Sequence, residues 1–312
     1  MEVVLLFPGQ GSQKPGMGKD LYETFPAARD VFDAADAALG MSLSSLCFNG
    51  PADELTLTHN AQPALLAHSA AVWATVRDRI GPHVRAAGGH SLGEFSAYHA
   101  AGTLSLPDAL RLVRRRGELM YESGVRRPGA MAAILGDLME PVESICAKAA
   151  VEAGLVSPAN YNSPGQVVIS GEEAGVERAM ALAKEAGAKR AMRLNVSGAF
   201  HSALMETALD GLSEAVAGTT FTNPRFPVYA NVNAEAVTLA DRARQLLLQQ
   251  LTRPVRWSDE VTAMAERLPA AMYVEMGPGS VLTGLVRKIA PSLKTMTCGS
   301  VSEVNHLMEL AA

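Results

Sequence analysis

A serine flanked by glycines is the strongest chemical signal in this chain of 312 residues. Gly89-His90-Ser91-Leu92-Gly93 has the G-x-S-x-G spacing of a nucleophile elbow, a sharp strand-to-helix turn that exposes a serine hydroxyl. The two glycines leave room for such a turn because they carry no Cβ atom. The turn would also aim the backbone N–H of Leu92 at an incoming carbonyl oxygen. The spacing predicts a serine nucleophile, and the alternative is a glycine-rich turn with an incidental serine.

The segments on either side of this turn have the character that an elbow requires. Residues 84–87 are brief and suit a buried strand, whereas residues 93–101 have the apolar face of a helix, with Gly102 as its stop. A strand, a turn and a helix therefore follow one another in the order that an elbow needs. The positive end of the helix would favour negative charge at the turn.

Two other segments contain groups that could assist a serine. The apolar run 3–7 predicts a central strand, and Gly9-Gln10-Gly11 follows it as a tight loop. That loop is either a second source of an oxyanion-hole N–H or an ordinary turn. Of seven histidines, His201 differs because it follows a predicted strand and precedes a helix. This position suits a general base that reaches across a cleft.

A run of arginines lies on a predicted helix that begins near residue 105. Arg111, Arg114 and Arg115 can share one side of that helix, and a group of this kind usually forms a solvated face. Arg116 lies about 100° further round the helix and can point elsewhere. The pattern therefore favours a solvated face for the first three arginines and leaves the position of Arg116 open.

Composition excludes several classes of protein. Hydrophobic residues make up 48% and charged residues 19% of the chain, which is typical of a globular enzyme. A net charge of −5 argues against nucleic acid as a partner. Three scattered cysteines and no metal-ligand spacing argue against disulfides and metal sites and for the cytoplasm. The apolar run near the N-terminus is too short for a signal peptide or a membrane span.

The middle of the chain changes its pattern and predicts a small inserted unit. Strands are predicted at 129–135, 156–161, 166–170 and 189–196, and helices at 141–153 and 175–186. This βαββαβ order is the ferredoxin-like arrangement. We expect a ferredoxin-like small subdomain at 126–197, inserted into a large subdomain that comprises 1–125 and 198–312. In the large subdomain the patterns predict helices at 20–39, 60–79, 239–251 and 280–289, and strands at 227–232 and 271–276.

Six motifs together resemble those of the malonyl-CoA:acyl-carrier-protein transacylase family. In chain order they are Phe7-Pro8-Gly9-Gln10-Gly11-Ser12-Gln13, Gly89-His90-Ser91-Leu92-Gly93-Glu94, Arg116-Gly117, Phe200-His201-Ser202, Gln250 with Pro254-Val255-x-Trp257, and Glu275-x-Gly277-Pro278-Gly279. Their order and spacing are those of the family, from near the N-terminus to about Ile289. The resemblance implies an α/β fold, with an α/β-hydrolase-like large subdomain and an inserted ferredoxin-like small subdomain.

The resemblance also implies catalytic roles for particular residues. Ser91 would be the nucleophile and His201 its base, while the N–H groups of Gln10 and Leu92 would form the oxyanion hole. Gln250 would lie beside His201, where family members orient the imidazole with a backbone carbonyl. Such a carbonyl would replace the acidic third member of a triad, for which the sequence offers no obvious candidate.

Substrate recognition is implied for two further residues. Arg116 would bind the free carboxylate of a malonyl group, because a guanidinium can hold a carboxylate bidentately. Phe200 would crowd an α-methyl group and favour malonyl over methylmalonyl. Ala199-Phe200-His201 is similar to the malonyl-selective acyltransferases of polyketide systems. It does not separate a fatty-acid enzyme from a freestanding polyketide acyltransferase.

The implied activity is malonyl transfer from malonyl-CoA to the phosphopantetheine thiol of an acyl carrier protein, through a malonyl-serine intermediate. No cofactor is expected, because the CoA thioester is itself the substrate. One rival is a serine hydrolase or thioesterase with a similar core, which would give no reason for a carboxylate-binding Arg116. A non-catalytic module that binds carrier proteins is disfavoured because both Ser91 and His201 are present.

Docking of the carrier protein is expected at a basic surface. Carrier proteins are generally acidic, so a chain of net charge −5 needs a local positive face to bind one. Arg287-Lys288, after Gly277-Pro278-Gly279, is the preferred candidate. The second candidate is a group in the small subdomain, formed by Lys184, Lys189, Arg190 and Arg193. The alternative is that both groups are ordinary solvated faces.

Overall fold

Two β-sheets organise the structure, a computed structural model that describes residues 1–196 and 198–311. The described residues contain ten strands: β1 (Val3–Phe7), β2 (Val84–Gly89), β3 (Ala130–Leu135), β4 (Val156–Ser163), β5 (Gln166–Gly171), β6 (Arg190–Arg193), β7 (Val228–Tyr229), β8 (Ala236–Val237), β9 (Met272–Met276) and β10 (Lys294–Cys298). Their helices are α1 (Lys19–Thr24), α2 (Pro26–Leu39), α3 (Leu43–Asn49), α4 (Ala52–Thr56), α5 (Thr58–Ile80), α6 (Leu92–Ala100), α7 (Leu106–Arg126), α8 (Val142–Ala153), α9 (Glu173–Glu185), α10 (Leu209–Ala217), α11 (Ala240–Gln250), α12 (Trp257–Arg267), α13 (Val281–Ile289) and α14 (Val301–Leu310).

The larger sheet has the strand order β10-β9-β1-β2-β7-β8. All neighbouring pairs are parallel except β7 and β8, which are antiparallel. In the register of β1 and β2, Phe7 stands opposite Gly89. Both strands therefore end at the same edge of the sheet, which brings the loop after Phe7 beside the turn that contains Ser91.

Side chains alternate between the two faces of this sheet, as the pleat of a strand requires. Val3, Leu5 and Phe7 pack into a core with residues of α2, α5 and α7, whereas Val4 and Leu6 pack into a second core with residues of α12 and α13. Every residue of β1 is buried. The continuous apolar run at 3–7 is explained by this position in a sheet that is covered on both sides.

The smaller sheet has the order β4-β5-β3-β6 and is antiparallel throughout. A separate core packs beneath it, where Ala132 and Ile134 of β3 meet Ile145 of α8 and Val176 of α9. The predicted ferredoxin-like arrangement is confirmed by this order. All four strands lie within the predicted insert; its boundary at Ser197 lies outside the described residues.

A short backbone ladder joins β4 of the smaller sheet to the segment that precedes α12. Tyr161 N, in β4, donates to Val255 O at 2.9 Å, and Val255 N donates to Ala159 O at 2.8 Å. A side-chain hydrogen bond of 2.8 Å joins His90 Nε2 to Asn162 Oδ1 at the same junction. Together these contacts attach the smaller sheet to the segment before α12 and to His90, the residue before Ser91.

Several predicted elements have different bounds in the structure. The helix predicted at 20–39 is divided into α1 and α2, because Phe25 is extended before Pro26, as residues before proline tend to be. The strand predicted at 227–232 pairs only at Val228–Tyr229. The backbone then turns, and Ala234 N donates to Ala230 O. The strand predicted at 189–196 is likewise limited to Arg190–Arg193.

In the described part of the chain, none of the helices combines the length and apolar composition that crossing a membrane requires.

Candidate active site

Two glycines make the turn at Ser91 possible. A Cβ atom on Gly89 would lie 2.0 Å from the carbonyl group of Gly93, and one on Gly93 would lie 2.0 Å from Phe7 O. Ser91 adopts φ 53° and ψ −106°, a conformation that costs free energy and is typical of nucleophile elbows. The chain therefore forms the sharp turn that the G-x-S-x-G spacing predicts.

His201 lies opposite the serine hydroxyl, although the two residues are far apart in the chain. Ser91 Oγ is 2.7 Å from His201 Nε2, and His201 Nδ1 is 2.9 Å from the backbone oxygen of Gln250 at the end of α11. A carbonyl oxygen can only accept, so Nδ1 carries the imidazole proton. Nε2 is then free to accept the proton of the Ser91 hydroxyl, as a general base must.

The surroundings of His201 favour its neutral form. Burial is the main cause and the nearby Arg116 cation adds to it, so the pKa of His201 is lowered to about 3. The ordinary pKa of histidine is about 6.5. The imidazole is therefore unprotonated near neutral pH and able to take a proton.

Arg116 is a buried cation at the base of the site. Its Nη2 lies 3.2 Å from Ser91 Oγ and 2.9 Å from Gln250 Oε1, and its Nη1 lies 2.7 Å from Gln62 Oε1. Within the described residues these hydrogen bonds all go to neutral groups, and Nε is buried with no partner. Burial lowers the pKa of Arg116 to about 10, which leaves it positively charged at neutral pH. A desolvated cation without a carboxylate partner is suited to an anionic ligand.

The neighbouring arginines of α7 have different surroundings. Arg111 and Arg115 are exposed and form long ion pairs with Asp108 and Glu118. Arg114 is partly buried and binds Glu118 at 2.7 Å. Arg116 alone among these four arginines lines the cavity at Ser91, as its angular position on the helix allows.

A cavity of about 360 Å³ opens above Ser91. Gln10 and Leu92 line one side of it, next to the serine, and Phe200 lines another. Met131 of β3 and Leu194, the residue after β6, complete an apolar wall. The side chain of Gln10 accepts a hydrogen bond of 2.9 Å from Thr58 Oγ1, which anchors the loop after β1. The predicted nucleophile, base, oxyanion-hole residues and substrate-binding residues thus meet at one pocket between the sheets.

Comparison with known proteins identifies the family. The sequence profile described as "Acyl transferase domain" matches residues 4–305. The chain belongs to the acyl transferase domain family. It is 48% identical to a malonyl CoA-acyl carrier protein transacylase of Bacillus subtilis over 296 residues, which are 95% of this chain and 92% of that protein.

Solved acyl transferase domains have the same fold. The crystal structure of an acyl-carrier-protein-S-malonyltransferase from Bartonella henselae is 44% identical, with a TM-score of 0.94, and the match covers 100% of this chain and 99% of the other. A second solved structure is that of a type II PKS acyl-carrier protein in complex with its malonyl-transacylase. It contains a chain that is 41% identical, with a TM-score of 0.94, and the match covers 99% of this chain and 100% of that chain.

The two basic groups of this acyl transferase domain lie outside the residues that line the cavity. Arg287 Nε donates to Thr295 Oγ1 at 3.1 Å, and Lys288 Nζ reaches Gln166 Oε1 of the smaller sheet at 3.3 Å. In the second group, Arg193 is paired with Glu173 and with Glu177. That pairing offsets part of the second group's charge, whereas both cations of the first group contact neutral partners. Carrier docking at either group stays a prediction.

The sequence patterns do not single out two buried amides of this acyl transferase domain. Gln62 of α5 accepts from Arg116 and donates to Thr58 Oγ1 at 3.0 Å. Asn231 accepts from the backbone N–H of Ser91 at 2.8 Å. A signal for Asn231 exists, because it is the polar residue that follows the apolar run 227–230. No comparable signal marks Gln62, which lies within a long buried helix.

Proposed function

We propose that this chain transfers a malonyl group from malonyl-CoA to the phosphopantetheine thiol of an acyl carrier protein. The observation that carries the proposal is the buried Arg116 guanidinium, which lies 3.2 Å from the Ser91 hydroxyl and binds neutral groups in the described chain. A malonyl thioester places a carboxylate a few bonds from its reactive carbonyl. One substrate can therefore satisfy both the cation and the nucleophile. The names of the relatives support the same reaction.

In the first half-reaction Ser91 Oγ attacks the thioester carbonyl carbon while His201 Nε2 takes the hydroxyl proton. The N–H groups of Gln10 and Leu92 stabilise the negative charge that forms on the carbonyl oxygen. The tetrahedral intermediate then expels the CoA thiolate, which receives the proton from His201. The products are malonyl-Ser91 and free CoA.

The second half-reaction reverses these steps with a different thiol. The phosphopantetheine thiol of the carrier gives its proton to His201 and attacks the malonyl-serine ester. Ser91 Oγ leaves and recovers the proton, which restores the enzyme. Throughout both steps Arg116 holds the malonyl carboxylate, and Phe200 limits the space beside its α-carbon. The two half-reactions balance with malonyl-CoA, the carrier thiol and these protein groups as the participants.

The orientation of His201 is part of the same proposal. A carbonyl oxygen stabilises an imidazolium less than a carboxylate does, because it carries no full charge. The proton that His201 acquires from Ser91 is therefore held weakly and is readily returned to the departing thiolate. This arrangement suits a reversible exchange between two thiols, in which neither half-reaction needs a strong base.

The decisive experiment follows radiolabelled malonyl groups from malonyl-CoA in the presence of holo carrier protein. We expect label on the carrier, and a malonyl adduct on the intact enzyme that is lost in Ser91→Ala. The matched control is Ser302→Ala, which removes an exposed serine of α14 and should behave as wild type. Free malonate as the main product would favour a hydrolase instead. An equal adduct on Ser91→Ala would refute the assignment of the nucleophile.

A further inference from the structure

A buried asparagine, Asn231, forms hydrogen bonds with the backbone of the elbow. Asn231 lies just after β7, the strand next to β2, and is 0% exposed. Its Oδ1 accepts from Ser91 N at 2.8 Å, and its Nδ2 donates to Gly89 O at 2.7 Å. One side chain therefore binds backbone groups on both sides of His90, across the turn itself.

The side chain of Gln250 completes this support. Its Nε2 donates to Ser91 O at 2.9 Å and lies 3.2 Å from Asn231 Oδ1. Both backbone polar groups of Ser91 are thus bound by buried amides. These bonds act on a residue whose backbone, at φ 53° and ψ −106°, is strained. A strained conformation persists only where its surroundings hold it in place.

Two buried carboxyl groups orient the amides. Glu260 Oε1 accepts from Asn231 Nδ2 at 2.8 Å, and Glu94 Oε2 accepts from Gln250 Nε2 at 2.7 Å. Glu94 Oε2 also accepts from the backbone N of Asn231 at 3.2 Å. Because carboxyl oxygens such as these accept, each amide turns its nitrogen towards them. The oxygen of Asn231 is then directed at Ser91 N–H.

We propose that Asn231 is a positioning residue for the acylation of Ser91. Its amide, oriented by Glu260, keeps the elbow in the conformation that places Ser91 Oγ 2.7 Å from His201 Nε2. Asn231 is not among the residues that line the cavity, and it acts through the backbone groups of Gly89 and Ser91. The inference rests on the proposed function, since acylation of Ser91 is the step that it concerns.

The first test measures the rate of malonyl-enzyme formation in Asn231→Ala by rapid quench and intact mass. We expect the acylation rate constant to fall on the order of tenfold or more, because small displacements of a nucleophile are costly. The malonyl-CoA concentration at half-saturation should change less than about twofold, since Arg116 is not a hydrogen-bond partner of Asn231. An unchanged rate constant in a folded variant would overturn the proposal.

A second variant separates positioning from simple loss of stability. Asn231→Asp keeps an oxygen for Ser91 N–H, but when ionised it cannot donate to Gly89 O or Glu260. The titratable groups that face this position are Glu94 from α6 and Glu260 from α12, whereas Arg116 and His201 lie beyond Gln250. Protonation of the introduced carboxyl restores a donor. Burial beside Glu94 and Glu260 should raise the pKa of the introduced carboxyl well above the ordinary aspartate value of about 3.9. The acylation rate relative to wild type should therefore rise as pH falls from about 8.5 to about 5.5.

The matched control is Asn223→Asp, an exposed position whose side-chain oxygen accepts from Ala240 N and can still do so after the change. Its rate relative to wild type should be independent of pH. A flat ratio for Asn231→Asp as well would overturn the positioning role. If that variant does not fold, Asn231→Ser supplies the same comparison of rate constant with half-saturation. Failure of wild-type acylation would instead contradict the proposed function, so the two failures are distinguishable.

Discussion

The imidazole of His201 lies beside a cation rather than a carboxylate, which sets the expected pH dependence of acylation. Burial and Arg116 lower the pKa of His201 to about 3. Only the neutral imidazole accepts a proton, so activity is lost as the pH falls through the pKa that His201 has in the folded enzyme. We expect the acylation kcat/KM to stay level from about pH 8 down to about pH 5, well below the ordinary histidine pKa. Stopped assays of malonyl-adduct formation across this pH range measure the acylation kcat/KM.

An acid limb near the ordinary pKa of histidine would contradict a buried neutral base. The buried Glu94 gives a second point of comparison, because burial raises its pKa to about 7. Its carboxyl receives a hydrogen bond from Gln250 and is not in contact with Ser91 Oγ. A limb near pH 7 that moves in Glu94→Gln would therefore assign the titration to this carboxyl and not to His201.

Arg116 should decide which acyl group is accepted. In Arg116→Ala a malonyl carboxylate would be buried without its partner, a loss on the order of 2–5 kcal/mol in transition-state binding. Acetyl transfer, which has no carboxylate, should be retained or increased. Parallel kcat/KM measurements with malonyl-CoA and acetyl-CoA test this, and Arg115→Ala, an exposed neighbour on α7, is the control. Equal losses for the two substrates would make Arg116 a structural residue only.

At the scale of elements, the turn between β2 and α6 depends on close contact with the end of β1. In Gly93→Ala the new Cβ would lie 2.0 Å from Phe7 O, so the helix must move away from the sheet. We expect a large loss in the free energy of unfolding, together with loss of acylation. The control, Gly284→Ala in α13, has open space at its Cβ position and should stabilise the protein by about 0.5–1 kcal/mol. Urea denaturation compares them, and equal stabilities would contradict the close approach.

Local patterns predicted those elements whose sequence carries one dominant signal. The apolar run of β1 and the G-x-S-x-G turn are of this kind, because burial on both faces and a tight turn each restrict the residue types allowed. The polar-apolar strand β10 gave no such signal, since its residues are only partly buried. The helices α12 and α14 were also not predicted. The strand at 227–232 was overestimated, because the side chain and backbone of Asn231 bind the elbow instead of a neighbouring strand.

The sequence predicted which residues form the candidate site better than it predicted how they are arranged in space. Spacing identified Ser91, and its position between a predicted strand and a helix marked His201 as a candidate base. Resemblance to a family supplied the roles of Arg116 and Gln250. Their distances agree with the predicted proximity, and their roles stay predictions. Spacing alone could not bring them together, since each comes from a different helix or loop and only the tertiary fold joins them. Gln62 was missed because a buried polar residue within a helix has no sequence pattern of its own. Asn231 was missed because it was placed inside the strand predicted at 227–232.

At the scale of the whole molecule, the docking surface of the carrier can be tested by charge reversal. Arg287→Glu with Lys288→Glu should slow transfer to an acidic carrier, mainly through association, while self-acylation from malonyl-CoA changes less. Wild-type transfer should also slow as salt rises, because screening weakens the attraction. The ratio of the two half-reactions in the double variant is the measurement.

A matched pair of cations controls for net charge. Arg77 and Arg79 are exposed near the end of α5, which leads into the beginning of β2 and so lies at the edge of the sheet away from Ser91. Reversing both to glutamate should leave carrier transfer as in wild type. If Arg287→Glu with Lys288→Glu leaves carrier transfer untouched at low salt, docking lies elsewhere, and the group around Lys184 and Lys189 becomes the next to test.

The ladder between β4 and Val255 has a consequence for enzyme engineering. Two main-chain hydrogen bonds hold β4 against the segment that precedes α12, beside Asn160 in the wall of the pocket. Accommodating a bulkier extender unit is then a question of side-chain volume, and Met131, Leu194 and Phe200 are the positions to trim. Variant libraries at these three positions should therefore change acyl-group selectivity more than substitutions at the contact between β4 and Val255.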